Sequence, residues 1–125
     1  MKRSLALQPL SREHHTALSL AKACARAASS CDEELINKTC RRIIQAFSTE
    51  LEPHFLIEEQ SLLILMHDAE PLRQRTLADH QQLRELLNGL QQNNAEALGC
   101  FGELLYAHVR FEERELFPML EKLLP

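Results

Sequence analysis

The chain has 125 residues, enough for one domain with a single core and too few for two ordinary domains. Its apolar fraction of 45% and charged fraction of 26% are ordinary for globular proteins, which argues against a disordered chain. The net charge of −4 is spread along the chain without a basic block, so binding to nucleic acid is disfavoured. We expect a single soluble domain over residues 1–125.

Neither a membrane span nor a secretion signal is indicated. No apolar run is long enough to cross a membrane, and the first residues lack the apolar stretch of a signal peptide. This pattern predicts a cytoplasmic location. The cysteines show no C-x-x-C spacing, which argues against a zinc ribbon or a thioredoxin-like redox pair. The cysteines predicted to be reduced and mostly buried are Cys24, Cys31, Cys40 and Cys100.

Helix-forming residues dominate the composition, and the apolar periodicity predicts four helices. Ser11 is predicted to cap a first helix that ends near Ser29. Asp32 is predicted to open a second helix that extends to about Met66. Pro53 falls inside this second helix, and it should kink the helix without ending it because the periodicity continues beyond it.

A third helix is predicted from Pro71 to about Leu90, and a fourth from about Ala95 to Leu123, with a bend at Pro118. Short connections make consecutive helices antiparallel neighbours, so the fold class is all-α, an up-down-up-down four-helix bundle. The residues predicted to face the core are Ala17, Ala21, Cys24, Ala28, Ile36, Cys40, Ile43, Phe47, Leu51, Leu62, Leu65, Leu72, Thr76, Leu83, Leu87, Leu90, Leu98, Phe101, Leu105, Met119 and Leu123.

Ionisable side chains interrupt these inward-facing stripes on every predicted helix. The residues concerned are His14, His54, Glu58, His80, His108 and Glu112. Two histidine–glutamate pairs have four-residue spacing, which places both side chains on one helix face. Burying such groups without partners is costly, and a bound cation is the simplest compensation. The stripes therefore predict a metal site inside the bundle.

The size of this set favours two metal ions over one. Four histidines and two glutamates exceed the needs of one tetrahedral zinc, whereas two transition metals can share carboxylates. Ferritin-like bundles also hold two metals, but they use Glu-x-x-His motifs with glutamate in the majority. No histidine here has a glutamate three residues before it. Open coordination positions would remain for O2, NO or water.

Residues next to these six have weaker claims to the site. His15 is predicted to be a surface residue, although it would replace its neighbour if the first helix rotated, and His67 is predicted to lie in a loop. Glu59 and Glu113 are predicted to be solvated or to orient a histidine, with substitution for the adjacent glutamate as the alternative. The side chains predicted to wall the site or to fill the core are Phe55, Phe111 and Phe117. Those predicted to be surface charges are Arg84, Arg110 and Arg114.

Four segments carry a resemblance to a known family. They are REHHTAL at 12–18, PHFLIEE at 53–59, DH at 79–80 and HVRFEERELFP at 108–118. In this order and helix placement they resemble the hemerythrin-like, HHE cation-binding domain family, and the resemblance covers essentially the whole chain. It implies a hemerythrin-like bundle with a non-haem di-iron centre, in which an oxo or hydroxo group can bridge two iron ions. The ligands that it implies are His14, His54, Glu58, His80, His108 and Glu112.

Two positions depart from the oxygen-carrying members of this family. Those members have a second histidine four residues after the one on the third helix, where this chain has Arg84. They also have an aspartate five residues after the histidine of the last helix, where this chain has Glu113. These departures argue against reversible oxygen carriage.

Three functions are compatible with this reading. The leading prediction is a metal-binding protein whose di-iron centre binds O2, NO or peroxide in sensing, scavenging or iron handling. The second is an enzyme that reduces NO or O2 at the same centre, which steady turnover with an electron donor would distinguish. The third is a protein-interaction module with a structural metal or none. The sequence leaves open the physiological metal and whether the bundle forms a homo-oligomer.

Overall fold

The computed structural model describes residues 3–125, which form four long antiparallel helices and no strand. Helix α1 is Gln8–Ala28, and α2 runs without interruption over 33–65. Helix α3 is Pro71–Gln91, and α4 runs over 95–123. The predicted four-helix bundle is confirmed. None of the helices within residues 3–125 is long and apolar enough to cross a membrane.

Helices α2 and α4 contain wider π-helical turns. The segments of α2 are Glu33–Ala46, the π turn Phe47–Leu51, Glu52–Ile57, the π turn Glu58–Leu62 and the 3-10 turn Leu63–Leu65. Those of α4 are Ala95–Phe111, the π turn Glu112–Leu116 and Phe117–Leu123. Pro53 and Pro118 each follow a π turn by two residues. A proline lacks an N–H and crowds the preceding turn, and the wider turn lets the helix continue.

The helix starts agree with the sequence at α2 but not at α1. Asp32 accepts a hydrogen bond from the backbone N–H of Leu35 at 3.1 Å, as expected of a cap. The prediction that Ser11 caps α1 is wrong, because α1 begins earlier, with Pro9 in its first turn. Proline suits that position since its φ is already helical. The Ser11 hydroxyl instead donates to the Glu113 carboxylate at 2.8 Å.

Each helix packs against the next in the chain, and α4 packs against α1, which closes the ring of four. The contact between α1 and α4 is close, because a Cβ atom at Gly102 would lie 2.7 Å from the Cβ of Cys24. The buried apolar residues form two clusters. The larger apolar cluster consists of Ala17, Leu20, Ala21, Cys24, Ala27, Ile36, Cys40, Ile43, Ala46, Phe47, Leu51, Phe55, Leu83, Leu90, Leu98, Phe101, Leu105 and Val109. The smaller apolar cluster consists of Leu7, Leu10, Leu62, Leu63, Met66, Phe111, Leu116, Phe117 and Leu120.

Some predicted core positions are exposed. Leu65 was predicted to face inward, but it is 44% exposed, because the 3-10 turn changes the helical phase and buries Leu63 and Met66 instead. Leu123, at the end of α4, is also 44% exposed. The cysteines divide equally. Cys24 and Cys40 are buried, whereas the other two, Cys31 and Cys100, are exposed.

Candidate metal centre

The six inward ionisable residues predicted from the sequence meet in one layer between the two apolar clusters. None of them is more than 5% exposed. On each helix, these residues lie in sequence close to buried members of the two apolar clusters. The four helices therefore bring them to the same depth in the bundle. The residues in this layer are His14, His54, Glu58, His80, His108 and Glu112. We call them the centre.

The centre divides into two groups that share both glutamates. One contains His14 and His54, the other His80 and His108, and in each group the candidate ligand atoms lie within 4.8 Å of one another. Glu58 directs Oε2 to the Nε2 of His54 at 3.2 Å and Oε1 to the Nε2 of His80 at 3.1 Å.

Glu112 is divided between the groups in the same way. Its Oε1 lies 2.8 Å from the Nε2 of His14, and its Oε2 lies 3.1 Å from the Nε2 of His108. Each group therefore offers two imidazole nitrogens and two carboxylate oxygens. Carboxylates placed between two such groups have the arrangement of bridging ligands.

A second set of carboxylates contacts the opposite nitrogen, Nδ1, of every histidine in the centre. Glu13 of α1 contacts His54 of α2 at 2.8 Å. The same relation links each helix to the next: Glu59 to His80 at 2.6 Å, Asp79 to His108 at 2.9 Å, and Glu113 of α4 back to His14 of α1 at 2.6 Å. We call Glu13, Glu59, Asp79 and Glu113 the outer carboxylates. They follow the ring in which the helices pack.

These contacts determine which nitrogen of each ring carries hydrogen. A carboxylate only accepts hydrogen bonds, so each Nδ1 donates its N–H to an outer carboxylate. In a neutral imidazole, Nε2 then presents a lone pair, and it faces the shared glutamates. A lone pair and a carboxylate repel each other unless a cation or a proton lies between them. The outer carboxylates therefore favour, in all four histidines, the tautomer that a metal ligand would need.

Protons stabilise the centre when no metal is present. Burial alone would lower the pKa of His54, but its contacts with Glu112 and Glu58 outweigh burial and raise the pKa to about 11. Burial would also lower the pKa of His108. The charge of Glu112 and the hydrogen bond with Asp79 outweigh burial and raise this pKa to about 10. Burial would raise the pKa of Glu112, but the charge of His108 and its histidine contacts hold that pKa well below its usual value.

The buried polar atoms show that these contacts are incomplete. Within residues 3–125, six buried side-chain oxygen or nitrogen atoms have no hydrogen-bond partner, and five of them belong to the centre. They are both oxygens of Glu58, Oε2 of Glu112, and Nε2 of His80 and His108. Native proteins rarely leave such atoms unsatisfied unless an ion or water completes them. The residues present therefore fit a bound cation.

Arginines balance three of the four outer carboxylates. Arg84, predicted to be a surface charge, is instead part-buried and pairs with Glu52 and, at 3.0 Å, with Glu59. Arg3 lies 3.2 Å from Glu113, and Arg75 lies 3.8 Å from Asp79. Glu13 makes no ion pair with a lysine or arginine among the described residues 3–125.

Aromatic rings cover the centre on both sides, as the sequence predicted. Phe55 stacks on the ring of His80, with centroids 4.0 Å apart, and Phe117 stacks on His14 at 5.3 Å. Phe111 lies 6.3 Å from His108. These rings limit the access of water, which strengthens electrostatic interactions inside the site.

Sequence reasoning missed Glu13 and Asp79 as parts of the site. Each stands directly before an inward histidine on its own helix, as Glu59 and Glu113 stand directly after an inward glutamate. That adjacency was the available signal, but each carboxylate contacts a histidine on another helix. Of the roles predicted for Glu59 and Glu113, the structure agrees with contact to a histidine, and His15 and His67 are exposed as expected.

Four antiparallel helices around a buried layer of histidine and glutamate define a helical bundle that could hold metal ions. Within that class the chain belongs to the hemerythrin family, because residues 5–120 match the Hemerythrin HHE cation binding domain. Neither the curated proteins nor the solved structures yielded a significant match to the chain.

Proposed function

We propose that this protein binds two iron ions in the centre, where they supply redox chemistry toward O2, NO or peroxide. His14 and His54 hold one ion, and His80 and His108 hold the other. The two shared glutamates bridge them. The observation that carries this proposal is the division of Glu58, which directs one oxygen to each histidine pair. A single ion would leave one of the two groups without compensation.

The donor set supports iron among the metals that it could accept. Each group combines imidazole nitrogen with carboxylate oxygen and contains no thiolate, a set that suits iron, zinc or manganese better than soft ions. Membership of the hemerythrin family favours iron among these. Four protein ligands in a group also leave positions free in an octahedral shell, which a small ligand requires.

A narrow cleft next to the centre suits a small ligand. A cleft of about 140 Å³ reaches His14, His54 and His108, and its inner wall is apolar at Ala17 and Val109. Such a volume holds a few water-sized molecules and is below the usual volume of a drug-sized pocket. The cleft therefore supports a diatomic gas or peroxide as the ligand. This fits a role in sensing, scavenging or iron handling.

Metal content and visible absorption test this proposal directly. Protein purified without added metal should contain about two iron ions per chain, with an absorption band that dithionite bleaches and air restores. Glu58→Gln should lower the metal content and remove the absorption of the bridged pair, whereas Glu103→Gln on the surface should leave both unchanged. One zinc ion per chain, or no metal, would contradict the di-iron proposal.

A further inference from the structure

The cleft between α1 and α2 connects the solvent to the centre. Glu13 and Glu50 at its outer edge are exposed, and His14, His54 and His108 lie at its inner end. His108 is only 1% exposed, and its Nε2 has no hydrogen-bond partner. The cleft therefore joins the surface to three histidines of the centre, one of which has a buried nitrogen without a hydrogen-bond partner.

The mouth of this cleft carries negative charge. Among residues 3–125, no lysine or arginine lines the cleft, whereas Glu13 and Glu50 both do. The side chain of Glu13 is 54% exposed, and it is the outer carboxylate without an ion pair to arginine or lysine among residues 3–125. An uncompensated carboxylate at the rim of a narrow cleft raises the local concentration of cations.

A second opening near the centre has the opposite character. It lies on the other side of α1, reaches His14, and is lined by Arg110 and Arg114. The Glu113 carboxylate, which also lines it, is already engaged by His14, Ser11 and Arg3. Two guanidinium groups at this opening repel a metal cation, so electrostatics distinguishes the two openings.

We propose that metal ions reach the centre through the cleft between α1 and α2, attracted by Glu50 and then by Glu13. Glu13 contacts the Nδ1 of His54 at 2.8 Å, so an ion near Glu13 is one imidazole ring away from the Nε2 that would bind it. This inference rests on the proposed metal-binding function. It adds the route of uptake and a role for Glu50, which makes no hydrogen bond or ion pair with the centre.

Uptake of Co2+ by the metal-free full chain tests this route. The chain is mixed with Co2+, a chelator stops uptake at set times, and the metal retained per chain is counted. At low salt we expect Glu50→Gln to slow uptake about two- to fivefold and the double variant Glu13→Gln/Glu50→Gln to slow it about tenfold. These differences should disappear at about 0.5 M salt, where surface charges are screened.

Two controls separate this route from other effects. Glu103→Gln removes an exposed charge away from the cleft and should take up Co2+ at the rate of the unmodified chain. Arg110→Gln/Arg114→Gln removes the repulsion at the second opening, so it should not slow uptake. Uptake that the Glu50 and Glu13 variants do not slow, or that the arginine variants slow, would overturn the route while the two-metal centre stands. An unmodified chain that retains no Co2+ would overturn the proposed function itself.

Discussion

The larger apolar cluster and the centre are adjacent layers of one bundle, but they are stabilised in opposite ways. The apolar cluster gains free energy from its own burial, and it needs no other component. The centre buries six ionisable groups, and it is satisfied only when protons or metal ions separate its carboxylates from its imidazoles. Substitutions in the first layer should therefore act independently of metal, whereas those in the second should act through it.

The largest effect is expected in the apolar cluster. Phe101 is fully buried and packs edge-to-face against Phe47, with ring centroids 6.2 Å apart. Phe101→Ala should lower the free energy of unfolding by about 3–5 kcal/mol, measured by urea denaturation, with the same loss when metal is present and when it is absent. Tyr106→Ala, an aromatic truncation at a side chain that is 45% exposed, should cost less than about 1 kcal/mol. A loss at Phe101 that metal abolishes would contradict the comparison.

The next effect concerns stability that depends on metal. A free metal concentration of about 1,000 times the dissociation constant should stabilise the unmodified chain by about 4 kcal/mol. Glu112→Gln should lose most of this gain, because Glu112 supplies one oxygen to each metal group. Glu115→Gln changes a carboxylate of the same π turn that is exposed, and it should retain the gain. Thermal unfolding with and without metal measures the stabilisation of both variants. If metal stabilised Glu112→Gln as much as Glu115→Gln, the centre would not bind metal through Glu112.

A smaller effect is expected at the outer carboxylates. Asp79→Ala should weaken metal affinity about 10- to 100-fold, because the Nδ1 of His108 loses the acceptor that orients the ring. Asp79→Asn should weaken it less, since the amide oxygen still accepts that hydrogen bond. Asp68→Ala, at an exposed carboxylate, is the matched control. Competition with a chelator measures affinity, and an unchanged affinity in Asp79→Ala would remove Asp79 from the site.

The most gradual effect is the dependence on pH. Because the folded-state pKa of His54 is about 11 and that of His108 about 10, their stabilising contribution to the metal-free chain is complete below about pH 6.5 and is lost as the pH rises toward these values. Burial would raise the pKa of Glu113, but hydrogen bonds from His14 and Ser11 lower it to about 2, so its contribution is present above about pH 4.5 and is lost in stronger acid.

Urea denaturation across this range should therefore place the maximum stability of the metal-free chain at about pH 5–6. The change should not exceed about 1.4 kcal/mol per pH unit for each titrating group. Metal affinity should change in the opposite direction and rise with pH, because only a deprotonated Nε2 binds metal. A metal-free chain whose stability is the same at pH 6 and pH 9 would show that protons do not substitute for metal in the centre.

Much of the fold and the six inward ionisable residues could be predicted from local sequence. The spacing of apolar residues set the four helices, and the Asp32 cap and the four-residue spacing of His54 and Glu58 concern neighbours on one helix. The errors also have local causes. Pro9 starts α1 before Ser11, and the 3-10 turn after Leu62 exposes Leu65.

The pairing of the outer carboxylates with the histidines was decided by tertiary structure. Glu13 precedes His14 in the chain but contacts His54, so its partner depends on the rotation and axial offset between α1 and α2. Those offsets arise from packing between distant residues, such as the close approach of Gly102 to Cys24. Periodicity along one helix carries no information about such offsets. The amino-acid pattern thus selected the ligand-type residues, and the packing of the helices selected which carboxylate holds each histidine and left Glu13 at the open cleft.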